Sequence, residues 1–132
     1  MNGFVKNIEK LTENNSKFRQ VIYTGHHLQL VLMSLKPGEE IGMETHFDND
    51  QFFRIEGGKG KVVIDGLESE ISDGSAVIVP AGAKHNVINT SQTEDLKIYT
   101  IYAPPHHRDQ VVHDTKSAAE SDDEEFDGKT TE

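Results

Sequence analysis

The sequence contains no cysteine, which excludes disulfide bonds, thiolate metal ligands and a cysteine nucleophile. It also has no apolar run as long as a membrane span or a signal peptide, so we expect a cytoplasmic protein with no membrane partner. An excess of basic residues is equally absent, because the 132 residues carry a net charge of −10. Since nucleic-acid binding needs clustered lysines and arginines, we expect no nucleic-acid partner.

The negative charge is concentrated near the C-terminus. Residues 114–132 include eight acidic and two basic residues, whereas the preceding chain has a net charge of only −4. From Ser117 onward the residues are mostly small, polar and acidic, and too few are apolar to order the segment. We therefore predict one domain over residues 1–116, long enough for a hydrophobic core, and a flexible acidic tail over residues 117–132.

Short runs of β-branched and aromatic residues, separated by turn residues, dominate the rest of the chain. These runs predict seven strands, over residues 20–24, 27–35, 51–55, 61–65, 75–79, 86–90 and 96–103. One short helix is predicted before them, over residues 7–14, where Ile8 and Leu11 are three positions apart. Many short strands at regular spacing are typical of a sandwich or a jelly-roll barrel, so the fold class predicted is all-β.

Four side chains in the middle of the chain suggest a metal site. Glu44 and His46 are two residues apart, so in a strand they point to the same face. Gln51 lies just beyond a turn, and His85 follows a second turn that contains Pro80-Ala81-Gly82. If these four side chains converge inside a barrel, they would hold a divalent metal.

The second of these stretches resembles a motif of the small single-domain cupins. That motif reads G, five residues, P-x-G, two residues, H, three residues, N. The matching residues are Gly74, Pro80, Gly82, His85 and Asn89, and every spacing is met.

The first stretch resembles the other cupin motif, which reads G, five residues, H-x-H, three or four residues, E, six residues, G. The corresponding residues are Gly38, Glu44, His46, Gln51 and Gly58, again at the motif spacing. Glu44 stands where the family has its first histidine, and Gln51 stands where the family has glutamate.

The resemblance implies a double-stranded β-helix, or jelly-roll barrel, around one divalent transition metal. The metal role carries over directly to His46 and His85, and by inference to Glu44 and Gln51. With one carboxylate and one neutral amide oxygen, iron, manganese, nickel and zinc all remain candidates. The alternative is a metal-free polar cluster of the same residues that recognises a ligand directly.

The function expected from the resemblance is a metal-dependent enzyme acting on a sugar, a sugar phosphate or a keto acid. Similar small cupins are often assigned as mannose-6-phosphate-isomerase-like, which favours non-redox isomerase, lyase or cyclase chemistry with Glu44 as general acid/base. The alternatives are an iron-dependent dioxygenase and a non-catalytic sugar-binding cupin. Because cupins commonly pair through their sheets, we also expect a homodimer.

Other residues are weaker candidates for the site. Phe53 shares a strand face with Gln51, and Asn89 shares a face with His85, so both are predicted to contact substrate. Asn89 alternatively fixes the backbone of its motif. The three histidines that follow the last predicted strand, His106, His107 and His113, are expected in a solvated segment, with folding over the barrel mouth as the alternative.

Overall fold

The computed structural model describes all residues from 1 to 132. It contains two short helices and ten strands, in the order α1 (Ile8–Asn14), β1 (Arg19–Thr24), β2 (Gln29–Leu35), β3 (Glu44–Thr45), β4 (Asp50–Gly57), β5 (Lys59–Ile64), β6 (Leu67–Ser72), β7 (Ala76–Val79), β8 (Lys84–Asn89), β9 (Leu96–Ala103), β10 (Val112–His113) and α2 (Lys116–Glu120). Neither helix has the length and apolar character needed to cross a membrane.

The strands form two antiparallel sheets. One has six strands in the order β10-β1-β2-β9-β4-β7, and the other has four in the order β3-β8-β5-β6. Their facing surfaces enclose a single cluster of 17 buried apolar residues. The predicted all-β jelly-roll barrel with a short N-terminal helix is confirmed, because alternating apolar residues give each sheet one face to bury.

Strand β9 lies in the middle of the six-stranded sheet and shows this alternation clearly. Leu96, Ile98, Thr100 and Tyr102 are buried on the inner face, whereas the residues between them are half-buried. Helix α1 packs across the outer face of the same strand. Its N-terminus is capped by Asn7, whose side chain accepts a hydrogen bond from the Lys10 amide at 3.0 Å.

Three strands are not among those predicted. Strand β6 has only one buried residue, Ile71, because it lies at the edge of its sheet, and it therefore shows little apolar periodicity. Strands β3 and β10 have two residues each and form only where the tertiary fold places them beside β8 and β1. Such short pairings leave no pattern in the sequence.

Two glycines fix turns that determine where the motif residues lie. Gly82 adopts φ +89°, and its amide donates to the carbonyl of His46 at 2.9 Å, which ties the two motifs together. Gly58 adopts φ +87°, and a side chain there would collide with the carbonyl oxygen of Asp95. Both positions therefore require glycine.

The C-terminal segment, residues 117–132, makes hydrogen bonds to the barrel, and its flexibility stays a prediction. The amide of Phe126 donates to the His106 carbonyl at 3.0 Å, and the amide of Thr131 donates to the Thr24 carbonyl at 2.9 Å. The Glu132 carboxylate accepts hydrogen bonds from the amides of residues 2 and 3. In the structure the segment thus returns along the barrel, because its polar groups find partners there that composition does not reveal.

Candidate metal centre

Glu44, His46 and His85 lie together where β3 meets β8. Glu44 is directly opposite His85 in the antiparallel register, and His46 follows β3 immediately. Glu44 Oε1 is 3.2 Å from His46 Nε2 and 3.9 Å from His85 Nε2. One candidate ligand atom from each of the three side chains lies within 4.8 Å of the others. Three of the four predicted ligands therefore converge.

The hydrogen bonding of His85 leaves its inner nitrogen free. Its Nδ1 lies 3.0 Å from the carbonyl oxygen of Ala83, an acceptor, so Nδ1 carries the proton and donates it. The opposite nitrogen, Nε2, then has a lone pair directed toward Glu44. Metal-binding histidines usually have this arrangement, in which one ring nitrogen is held by a carbonyl and the other faces the ion.

The residues present fit a metal ion. Nε2 of His46 and Nε2 of His85 are both buried and make no hydrogen bond of good geometry; their nearest charged neighbour is Glu44 Oε1, at 3.2 and 3.9 Å. Buried polar atoms without partners are costly, so two of them beside one carboxylate need an explanation. Two imidazole nitrogens and a carboxylate oxygen are the ligands of a transition metal with open coordination positions.

Gln51 presents a neutral oxygen from the neighbouring strand β4. Its Nε2 donates to Thr100 Oγ1 at 3.0 Å, and Thr100 Oγ1 donates its own proton to the Phe52 carbonyl at 2.8 Å. Since the hydroxyl can only accept from Gln51, the amide orientation is fixed. The opposite atom, Oε1, is buried without a partner. Coordination by Gln51 stays a prediction, but its oxygen is free for that role.

Glu44 is held in its ionised form. Burial raises the pKa of the Glu44 carboxyl, but its contact with His46 and the electrostatic effects of His46, His85 and Arg19 outweigh burial and lower the pKa below its ordinary value. At neutral pH Glu44 is therefore a carboxylate that can bind a cation or accept a proton.

His106 lies over the cluster, contrary to the expectation of a solvated segment. Its ring centroid is 4.3 Å from that of His46, and it stacks on Tyr102 at 5.1 Å. Burial, followed by the nearby imidazoles of His107 and His46, lowers the pKa of His106 to about 4. His106 is therefore a neutral donor or acceptor beside the candidate metal ligands.

The chain reaches this position because Gln29 holds it. Gln29 Oε1 accepts from the amides of His106 and His107 at 3.1 and 2.9 Å, and its Nε2 donates to the His107 carbonyl at 2.7 Å. Gln29 is fully buried. The sequence interpretation missed this residue, although a glutamine inside an apolar strand, QLVLMSL, is an available signal of a buried hydrogen-bonded group.

His107 and His113 are also buried rather than solvated, and each meets a carboxylate. His107 Nδ1 is 2.6 Å from Glu124 Oε1, and His113 Nε2 is 3.0 Å from Asp122 Oδ2. Together these four residues form what we call the C-terminal clasp. The Arg108 amide also donates to Glu124, at 2.7 Å. The clasp explains why an acidic segment lies against the barrel.

The two predicted substrate residues have different surroundings. Phe53 is fully buried, with its ring centroid 6.3 Å from that of His85, so it packs directly beneath a candidate ligand. The amide of Asn89 donates to the carbonyls of Leu35 and Glu94 and accepts from the amide of Ser91. These contacts favour the backbone-fixing role for Asn89.

A surface cleft of about 360 Å³ reaches the cluster at His46. It is lined by Thr45, His46, Phe47, Asp48, Asn49, Pro104, Pro105, His106, Glu125 and Phe126. His46 and His106 are thus the members of the site that a molecule in the cleft would meet first.

Comparison with known proteins places the chain in a family. Residues 31–102 match the family model described as a cupin domain. The uncharacterized protein YrkC of Bacillus subtilis is 48% identical over 122 residues, which are 88% of this chain and 65% of the relative. The uncharacterized protein L612 of Acanthamoeba polyphaga mimivirus is 44% identical over 79% of this chain and 67% of its own length. The chain thus spans about two thirds of these relatives.

Solved structures give the same result. The crystal structure of BH2720 from Bacillus halodurans is 45% identical, with a TM-score of 0.88 over 90% of this chain and 94% of that one. KdgF from Halomonas has a TM-score of 0.60 at 20% identity over 65% of this chain and 76% of its own, a likeness of fold alone. With both motifs in place and the domain model matched over more than half of its length, the chain belongs to the cupin family.

Proposed function

We propose that this cupin is a metal-dependent enzyme that acts on a small polar molecule by non-redox chemistry of the isomerase, lyase or cyclase type. The observation that supports it best is the pair of buried, unpartnered Nε2 atoms of His46 and His85 beside the ionised Glu44. Buried atoms of this kind are stabilised when a cation binds between them.

The ion would be iron, manganese, nickel or zinc, held by Glu44, His46 and His85 with the Gln51 oxygen as a fourth ligand. A bound divalent ion supplies Lewis acidity that polarises a carbonyl or hydroxyl group. The ligand set combines two nitrogens with two oxygens, one of them neutral, which leaves a net positive charge to attract an electron-rich group.

The chain's own residues provide the remaining chemistry. Glu44, ionised and partly exposed, is the group that can take a proton from a bound substrate and return it. His106, neutral and adjacent to His46, can hydrogen-bond a hydroxyl or carbonyl group in the cleft. Phe53 is buried with its ring 6.3 Å from that of His85, and Pro104, Pro105 and His106, which follow β9, line the cleft.

The substrate class remains a sugar, a sugar phosphate or a keto acid. A cleft of about 360 Å³ is in the range of small-molecule sites. Sugars and sugar phosphates have adjacent carbonyl and hydroxyl groups, and keto acids have a carbonyl that can be enolised. A Lewis acid and one carboxylate can move the protons that either reaction needs, without a redox cofactor.

Elemental analysis of the purified protein tests the proposal. We expect about one equivalent of a transition metal in the wild type, and less than about a tenth of an equivalent in His46→Ala and His85→Ala. His27→Ala is the matched control, since His27 is an exposed turn residue. Retention of metal by His46→Ala would contradict the proposal. If the wild type neither contains nor takes up metal, the non-catalytic ligand-binding alternative is favoured instead.

The dioxygenase alternative is supported by one specific feature. Glu44, His46 and His85 are two histidines and one carboxylate on one side of the site, a set found in non-haem iron(II) oxygenases. Oxygen consumption by the iron-loaded protein with candidate sugars and keto acids separates the two chemistries. Turnover that continues without oxygen supports the non-redox reaction, whereas turnover that requires oxygen supports the dioxygenase.

A homodimer in the cytoplasm, with a small molecule as the only other partner, is part of the same proposal. Cupins commonly pair through their sheets, which supports the dimer. Two apolar residues, Leu67 and Ile78, are 72% and 69% exposed and could be covered by a second copy. Light scattering coupled to gel filtration distinguishes a monomer of 14.7 kDa from a dimer of twice that mass.

A further inference from the structure

The cleft beside the candidate metal centre is lined by two carboxylates and by no lysine or arginine. Asp48 belongs to the connection between β3 and β4, and Glu125 belongs to the C-terminal segment. Neither side chain forms an ion pair, and neither is among the carboxylates of the chain that accept hydrogen bonds. Both carboxylates therefore face the cleft with their oxygens free to accept hydrogen bonds.

Two phenylalanines line the same cleft. Phe47 is 77% exposed, although an aromatic ring gains more from burial than almost any other side chain. Phe126 lies on the C-terminal segment, and Pro104 and Pro105 add further apolar surface to the lining. The cleft thus combines apolar surface with free hydrogen-bond acceptors.

The part of the lining that the C-terminal segment contributes is held in place. Glu124, directly before Glu125, has its Oε1 2.6 Å from Nδ1 of His107. Directly after Glu125, the amide of Phe126 donates to the carbonyl of His106 at 3.0 Å. Because both neighbours of Glu125 are bonded to the chain that follows β9, the position of its backbone beside the cleft is fixed.

The cleft meets the candidate metal centre at His46. The His46 side chain is only 8% exposed, and its Nε2 makes no hydrogen bond of good geometry. A buried, unsatisfied nitrogen in the wall of a cleft indicates a missing partner. A molecule in the cleft would therefore lie against the carboxylates and the phenylalanines and reach the metal centre at the same time.

The charges of the site disfavour an anion. The carboxylates of Asp48, Glu125 and Glu44 supply three negative charges, which exceed the two positive charges of a divalent ion. No guanidinium or ammonium group lines the cleft to pair with a phosphate or a carboxylate. Ionised ligand groups of those kinds also only accept hydrogen bonds, whereas the free oxygens of the lining need donors.

We infer that the cleft takes a neutral, unphosphorylated sugar. Its hydroxyl groups would donate to Asp48 and Glu125, and the C–H surface of its ring would pack against Phe47 and Phe126. A sugar ring suits this lining because it presents donors around its edge and apolar C–H groups on its faces. This inference rests on the proposed function, since it places the sugar beside a bound metal, and it removes sugar phosphates and keto acids from the substrate class.

Calorimetric titration of the metal-loaded full chain tests this inference. The probes are glucose and galactose, each compared with its uronate, its 6-phosphate and its 2-amino derivative. For at least one of the two sugars we expect the neutral member to bind roughly tenfold or more tightly than either anion.

Substitution of the two carboxylates identifies the groups responsible. Asp48→Asn combined with Glu125→Gln should weaken binding of the neutral sugar roughly tenfold and narrow its advantage over the anions. Asp73→Asn combined with Glu13→Gln is the matched control, because it removes the same two charges from exposed residues outside the cleft and should change neither affinity.

Phe47→Ala gives a second variant whose folding is not in question. Since Phe47 is exposed, its removal should leave the melting temperature unchanged and should weaken binding of the neutral sugar several-fold. An unchanged affinity in Phe47→Ala would show that the ring does not contact the sugar.

The remaining outcomes overturn the inference. An anion that binds at least as tightly as its neutral parent, a 2-amino derivative that binds more tightly, or the absence of binding by both sugars contradicts a neutral sugar. An unchanged affinity in the double variant contradicts the role of Asp48 and Glu125. Metal content of the same samples separates the two proposals: a chain that holds no metal but still prefers the neutral sugar contradicts the proposed function and supports this inference.

Discussion

Two regions of this molecule are built from the same residue types but differ in how their histidines are arranged. In the candidate metal centre, Nε2 of His46 and of His85 are buried without hydrogen-bond partners. In the C-terminal clasp, both nitrogens of His107 are engaged, one by Glu124 at 2.6 Å and one by the Tyr102 hydroxyl at 3.3 Å. A histidine whose nitrogens are both bonded stabilises the fold, whereas two unsatisfied nitrogens that converge with a carboxylate indicate a missing cation. His113 Nδ1 in the clasp is also unsatisfied, but it belongs to no such converging group. The comparison assigns a structural role to the clasp and a binding role to the centre.

Removal of the metal should have the largest effect on stability, and this effect should depend on the candidate metal centre and not on the clasp. At a free metal concentration about a thousand times Kd, binding adds about 4 kcal/mol to the free energy of unfolding, so a chelator should lower stability by that amount. Urea unfolding with and without chelator measures the change. His46→Ala should show no chelator effect, and an equal chelator effect in that variant would remove the distinction between the two regions.

Loss of the Glu124 carboxylate from the clasp should have the second-largest effect on stability. Glu124→Ala leaves the His107 imidazole and the Arg108 amide without their acceptor, which should destabilise the fold by about 2 kcal/mol. Its metal content should equal that of wild type, because Glu124 is not a candidate ligand. Glu124→Gln, which keeps an acceptor oxygen, should lose less stability. A loss of metal in either variant would show that the regions are not independent.

The hydroxyl that orients Gln51 offers a finer test. Thr100→Val removes the acceptor of the Gln51 amide and should weaken metal affinity roughly tenfold if Gln51 is a ligand. Thr24→Val removes the corresponding hydroxyl beside Gln29, near the clasp, and should leave metal affinity unchanged. Metal titration of both variants compares the regions with one matched substitution. Equal affinities would exclude coordination by Gln51.

The smallest effect expected is the pH dependence of the clasp. Burial raises the pKa of Glu124, but the hydrogen bonds from His107 and Arg108 outweigh it and lower the pKa to about 2. Because the folded-state pKa is below the ordinary value of 4.5, this stabilisation is complete above pH 4.5 and is lost as pH falls toward 2. Unfolding of the metal-free protein between pH 5 and 2 should show the loss, and Glu124→Gln should reduce it. If wild type and Glu124→Gln lose stability identically as the pH falls, Glu124 is not the group responsible for the loss.

The sequence was sufficient to predict the barrel, because apolar and polar residues alternate along its strands and its motifs have fixed spacing. Glu44 and His46 at i and i+2 had to share a face, and the turn at Gly82 had to precede His85. The clasp was not predictable in the same way. His107 and Glu124 are 17 residues apart with no periodic pattern between them, so neither residue reveals its partner.

Composition by itself does not show where the C-terminal segment lies. Its acidic residues indicate solvation when considered alone, since such a segment cannot form a core of its own. The structure gives Glu124 and Asp122 histidine partners on the barrel, and long-range hydrogen bonds replace the missing apolar contacts. The prediction that His106, His107 and His113 lie in a solvated segment was wrong, because their contacts are with residues distant in the chain.

The sequence by itself therefore determined the family, the barrel and the identity of the candidate ligands, because local periodicity and motif spacing encode them. Only the tertiary structure decided which polar atoms have partners. It left His46, His85 and Gln51 each with an unpaired atom and gave His107 two partners. The physical reason is that hydrogen-bond satisfaction depends on contacts between residues distant in the chain, which no local pattern records.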